Sequence, residues 1–134
     1  NNMQYQKKVS VGAFLKKGVD FKDGELIEIK DEGKKVDGQF GQQDIFTIKT
    51  ENGAEGNIAF NQTSINNMID AYGGESSEWV GKKVKVWGIM SNVQGKMTKV
   101  FYFSHPSAEI DSAGDFIIPG KGKEKDDADE DIPF

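Results

Sequence analysis

Alternating apolar residues, interrupted by turn signals, constrain this chain more than any other feature. Residues 25–30 (ELIEIK) place Ile27 and Ile29 on one face, the period of a strand. Residues 31–43 are rich in Gly, Lys and Gln and predict a loop. Residues 44–50 alternate again, with Phe46 and Ile48 inward and Ile45, Thr47 and Lys49 outward. Glu51-Asn52-Gly53 predicts a hairpin turn, because Asn-Gly tolerates positive φ. Residues 56–61 predict a third strand with Ile58 and Phe60 inward. The period then changes. Ile65, Met68, Ile69 and Tyr72 recur at helical spacing, with Asn61 or Thr63 to cap the start and Gly73-Gly74 to end it. Residues 82–87 and 98–103 return to strand alternation, with a loop expected over 90–96.

Three strands, a helix and two strands is the chain order of a five-stranded OB barrel. The expected fold is therefore mainly β, with one helix between strands three and four. The domain is expected over residues 1–110, its core over about 8–105. Residues 111–134 are expected to be a flexible linker and an acidic tail, since Gly120 to Asp131 is charged and of low complexity. Residues 1–8 contain no apolar stretch of the kind a secretory leader needs. No apolar run approaches the length of a membrane span, so no membrane partner is expected.

Composition excludes several chemistries. There is no cysteine, hence no disulfide and no thiolate metal site. The single histidine, His105, has no second histidine or cysteine to complete a catalytic or metal pair. Asp127, Asp129 and Asp131 resemble the start of a calcium loop but lack its glycine and distal glutamate. No enzyme activity, metal or cofactor is expected. All 17 basic residues are lysine, and the net charge is −5. The charge is uneven: residues 121–134 carry three lysines and six acids, and residues 1–120 carry 14 lysines and 16 acids. The folded part is thus close to neutral, and a local basic groove is compatible with it.

Three segments, AFNQTSINNMIDAYG (59–73), EWVGKKVKVWG (78–88) and GKMTKVFYF (95–103), resemble a family of small OB-fold proteins common in phages and microbes. The tail, DDADEDIPF (126–134), resembles the carboxyl terminus of bacterial single-stranded-DNA-binding proteins. Residues 1–20 do not show the strand that supports the bacterial tetramer, so the phage members are the closer match. A dimer is favoured over a tetramer. The resemblance implies largely sequence-independent binding of single-stranded DNA, in the cytoplasm of a bacterium or a phage-infected host. It also implies protection of the strand and recruitment of replication, recombination and repair proteins.

Such binding needs lysines to track phosphates and aromatics to stack bases. Lys83, Lys85 and Trp87 share the outward face of one predicted strand. Ile45 and Lys49 point outward from another, and Lys34, Lys35, Phe40 and Lys96 fall in predicted loops. Tyr102 is either a stacker or a core residue with a bonded hydroxyl. Trp87 is either a stacker or a cover over the barrel end, and Phe40 is either exposed or buried. Phe46, Phe60 and Trp79 are expected in the core. In the tail, Asp126, Asp127, Asp129, Glu130 and Asp131 supply charge, while Ile132, Pro133 and Phe134 form an apolar tip suited to a partner's pocket. A solubilising tail is the bland alternative. The competing functional reading is a protein-interaction OB module, or an acidic DNA mimic that inhibits a DNA-binding partner.

Overall fold

The computed structural model describes residues 13–38 and 41–119. The elements run β1 Leu26–Ile29, β2 Lys34–Gly38, β3 Gly41–Lys49, β4 Glu55–Phe60, α1 Gln62–Tyr72, β5 Lys83–Val93, β6 Lys96–Ser104, β7 Glu109–Ile110 and β8 Phe116–Ile117. A short 3-10 turn, Ser76–Trp79, joins α1 to β5. The chain is mainly β, with one α-helix among the described residues. Six strands form the main sheet, in the order β2-β3-β1-β5-β6 with β4 on the other side of β3; β7 and β8 form a separate hairpin.

Two predicted loops are strands instead. Residues 34–38 and 41–45 pair as a hairpin, from Lys34 opposite Ile45 to Gly38 opposite Gly41. Most of this hairpin is exposed, so no apolar alternation marked it. Residues 90–96 belong mostly to β5 and β6, which pair from Lys85–Ser104 out to Val93–Lys96. Only Gln94 and Gly95 turn the chain, both at positive φ (53° and 82°). That combination matches the twist of the flanking strands.

β1 and β2 lie along the same edge of β3, separated by a bulge. Ile29 faces Ile48 and Lys34 faces Ile45, so residues 30–33 stand against Phe46 and Thr47 alone. The Asp31 carboxylate secures the bulge, accepting from the N–H groups of Gly33 (3.1 Å) and Thr47 (3.0 Å). Gly33 has φ +84°, and a Cβ there would come within 2.5 Å of the Phe46 ring. The bulge therefore requires glycine on two grounds, backbone conformation and space.

The core lies on one face of the sheet. Ile27, Ile29, Phe46, Ile48, Val84, Val86 and Phe103 are all buried there. Phe46, Phe60 and Trp79 are in the core, as expected, at 3%, 4% and 3% exposure. Phe46 stacks on Trp79, whose indole N–H donates to the Gly73 carbonyl at 2.8 Å. On α1, Met68 is buried, Ile65 and Tyr72 pack at its margin, and Ile69 is exposed.

β4 and β6 share no ladder among the described residues. Other groups occupy their edges. Residues 13–15 run parallel to β4: Asn57 N–H donates to Ala13, and Leu15 N–H to the Asn57 carbonyl, each at 3.0 Å. Along β6 the partners are side chains of the helix region. Asn61 and Asn67 donate to the carbonyls of Phe101 and Phe103, and Ser64 Oγ accepts from Phe103 N–H, all at 3.0 Å. Asn61 also caps α1, its side-chain oxygen accepting from Ser64 N–H at 3.0 Å. Between the two edges, Phe60 stacks on Phe103 at 4.8 Å, and fully buried Phe21 meets Phe101 and Phe103 edge-on.

Two substitutions test this architecture. Gly33→Ala combines positive-φ strain with a ring clash and is expected to destabilise the fold by roughly 2–4 kcal/mol in a denaturant melt. Ser64→Ala leaves the buried Phe103 N–H without its acceptor. Its expected cost is about 1–3 kcal/mol, measured the same way.

Candidate nucleic-acid interface

Directly opposed residues on neighbouring strands share a face of the sheet. With Val84, Val86, Phe101 and Phe103 turned into the core, the opposite face of β5 and β6 carries Lys85, Trp87, Tyr102 and Ser104. Trp87 stands directly across from Tyr102, and both are half-buried. Trp87 therefore sits on the outer face of the sheet. Ser104 Oγ accepts from the Trp87 indole N–H at 2.7 Å and donates to the His105 carbonyl at 3.0 Å. The Lys85 ammonium lies 4.5 Å from the centre of the Trp87 ring, a cation–π contact. A rigid aromatic pair beside a cation can present π-faces to a planar ligand and charge to an anion.

Phe116 of β8 packs against both rings, 5.4 Å from Trp87 edge-on and 5.7 Å from Tyr102 at a tilt. In the sequence it belongs to a short apolar run, Phe116-Ile117-Ile118, in a region otherwise thin in apolar residues. Beside it opens a groove of about 480 Å³, walled by Thr63, Asn66 and Asn67 of α1, by Ile89, Ser91 and Tyr102, and by Asp115 and Phe116.

The other candidate residues are dispersed. Ile45 was expected on the outer face but is buried, at 1% exposure. Its direct cross-strand neighbours are half-buried Lys34 and Ala59, which enclose it on both sides. Lys34 and Lys35 lie on β2 rather than in a loop, and each is matched by an acid. Lys35 meets Asp44 at 2.6 Å, and Lys34 meets Asp31 at 3.8 Å. Lys49 and Lys83 stand in one cross-strand row with acids, in the order Glu55, Lys49, Glu28, Lys83. Alternating signs across neighbouring strands stabilise the sheet and offset one another. Lys96 opens β6 instead of lying in a loop. It projects on the same face as Tyr102, six residues and thus roughly 20 Å along the strand. Phe40 lies outside the described residues, as do Asp126, Asp127, Asp129, Glu130, Asp131, Ile132, Pro133 and Phe134.

Among the described residues, no three His, Asp or Glu side chains gather to hold a metal ion. No helix among them is long and apolar enough to cross a membrane. No model of a known protein family matches the chain, and no curated protein matches it.

Ser104→Ala removes the acceptor that fixes the Trp87 indole. The expected loss of stability is about 1–2 kcal/mol. Trp87 emission should become more quenchable by acrylamide, while buried Trp79 stays protected.

Proposed function

We propose that the protein binds single-stranded DNA on the outer face of β5 and β6, largely without regard to sequence. The observation that carries this reading is the cross-strand pair Trp87–Tyr102 with Lys85 set against the indole. Single strands expose both phosphates and base faces, and an aromatic–lysine surface answers both. In this reading the six-stranded sheet is an OB-type barrel. β1 and β2 act as one bent first strand, and α1 lies between the third and fourth barrel strands. The gap between β4 and β6 is filled by residues 13–21 and by helix side chains. The near-neutral folded part and the absence of arginine favour weak base preference and a modest number of phosphate contacts. Lys85 and Lys96 are the lysines on this face best placed for phosphate, since Lys34, Lys35, Lys49 and Lys83 are offset by acids.

The acidic tail, with its Ile132-Pro133-Phe134 tip, is proposed to dock replication, recombination or repair proteins. A dimer is the proposed assembly, and the cytoplasm of a bacterium or phage-infected host the proposed location.

A second reading has its own observation. Met90 and Met97 are 53% and 59% exposed on one face of the β5–β6 arm. Exposed methionines suit a partner protein, as a protein-interaction module would require.

Titration of a labelled oligo-dT at several salt concentrations separates the two. DNA binding predicts association at low salt that weakens as salt rises. Trp87→Ala is expected to cost about 1–3 kcal/mol of that affinity. An absence of binding at low salt favours the protein-interaction module. Deleting residues 126–134 is expected to leave DNA affinity equal or higher and to abolish capture of tail partners. A loss of DNA affinity would give the tail a different role.

A further inference from the structure

The β7–β8 hairpin is weakly built and weakly attached. It has two residue pairs, Glu109–Ile117 and Ile110–Phe116, and an isolated hairpin of this size is marginal in water. Its turn is closed locally by Asp111, whose side chain accepts from the N–H groups of Ala113 and Asp115 at 2.9 Å. Among the described residues, no hydrogen bond or ion pair ties residues 109–118 to the sheet or to α1. Ile110 and Ile117 are exposed, at 37% and 41%. The Phe116 ring packs the hairpin against Trp87 and Tyr102.

We infer that Phe116 is an internal competitor for the base-stacking site, and that the β7–β8 hairpin swings off the Trp87–Tyr102 pair when a single strand binds. The inference rests on the single-strand reading above. Phe116 lies edge-on and tilted against the same two rings that a base would stack on, so a base that reaches both rings has to displace it. A two-pair hairpin with no hydrogen bond to the rest of the sheet among the described residues opens at low cost. The hairpin-closed population lowers the apparent affinity by the fraction of molecules that are open. Asp115, which walls the groove beside Tyr102, travels with the hairpin, so opening also removes a carboxylate from beside the stacking pair. The site thus acquires a threshold: short or weakly stacking strands fail to displace the ring, and longer ones succeed.

The test compares the full-length protein with Phe116→Ala and Phe116→Tyr by anisotropy of labelled oligo-dT at low salt. The expected result is tighter binding by Phe116→Ala, by about threefold or more, with Phe116→Tyr close to the parent protein. Binding by Phe116→Ala where the parent shows none would support the inference equally. Equal or weaker binding by Phe116→Ala, with the parent binding, overturns the inference and leaves the single-strand reading standing. No binding by either protein, both folded by thermal melt, overturns both. Hydrogen exchange of the unmodified protein gives a second readout that needs no variant. Amides of residues 109–117 are expected to exchange faster when oligo-dT is bound, and unchanged or slower exchange contradicts the displacement.

Discussion

The backbone of β6 at Phe101 and Phe103 would face the core with bare donors and acceptors if α1 were not laid along it. Asn61, Ser64 and Asn67 supply three hydrogen bonds along this edge. An unpaired buried backbone group costs about 1–3 kcal/mol, so this short side-chain ladder decides where the sheet can stop. It fixes the helix against β6 and brings Phe103 against Phe60 and Phe21. It also pins the strand whose opposite side carries Tyr102. The helix thereby holds the free backbone edge of β6, the strand that presents Tyr102 on its outer face. A stacking surface needs this, because rings already ordered lose little freedom when a ligand arrives.

Much of the fold was legible because local and long-range signals agree. The strand at 44–50, the Asn52-Gly53 turn, the strand at 56–61 and the capped helix from Asn61 to Gly73 all fall where alternation, turn chemistry and capping place them. What stayed hidden was structure without an apolar signature. β2 and residues 41–44 of β3 hold no fully buried side chain, so their pairing is visible only through the register with a partner strand. The outer ends of β5 and β6 lie beyond the core and carry Ser91, Asn92 and Lys96, which with Gln94 and Gly95 read as loop. The bulge at 30–33 depends on Gly33 meeting Phe46, a contact between residues that sequence spacing alone does not bring together.

The candidate site was legible in kind more than in extent. Alternation correctly put Lys83, Lys85 and Trp87 on one face of β5, and Trp87 opposite Tyr102 extends that face across to β6. Counting lysines overestimated its charge. Cross-strand acids stand beside Lys49 and Lys83, and ion pairs hold Lys34 and Lys35. Asp31 is only three residues from Lys34, but Asp44 and Glu28 reach Lys35, Lys49 and Lys83 through the strand register alone. Ile45 shows the converse: an outward position by parity, yet enclosed by its neighbours. Phe116 was the most consequential omission. Its role depends on a hairpin of two residue pairs folding back across the sheet, which no local periodicity announces.

The two tryptophans offer a direct view of whether the aromatic pair is the binding surface. Each indole N–H has its own partner, Gly73 for Trp79 and Ser104 for Trp87, and each gives its own signal in a proton–nitrogen spectrum. Stepwise addition of unlabelled oligo-dT at low salt should move the Trp87 indole signal and the amides of Lys85 to Ser91 and Val100 to Ser104. The Trp79 signal, from a ring buried on the far side of the sheet, should stay in place. Movement confined to Trp79 and the helix, or no movement at all, would contradict the account.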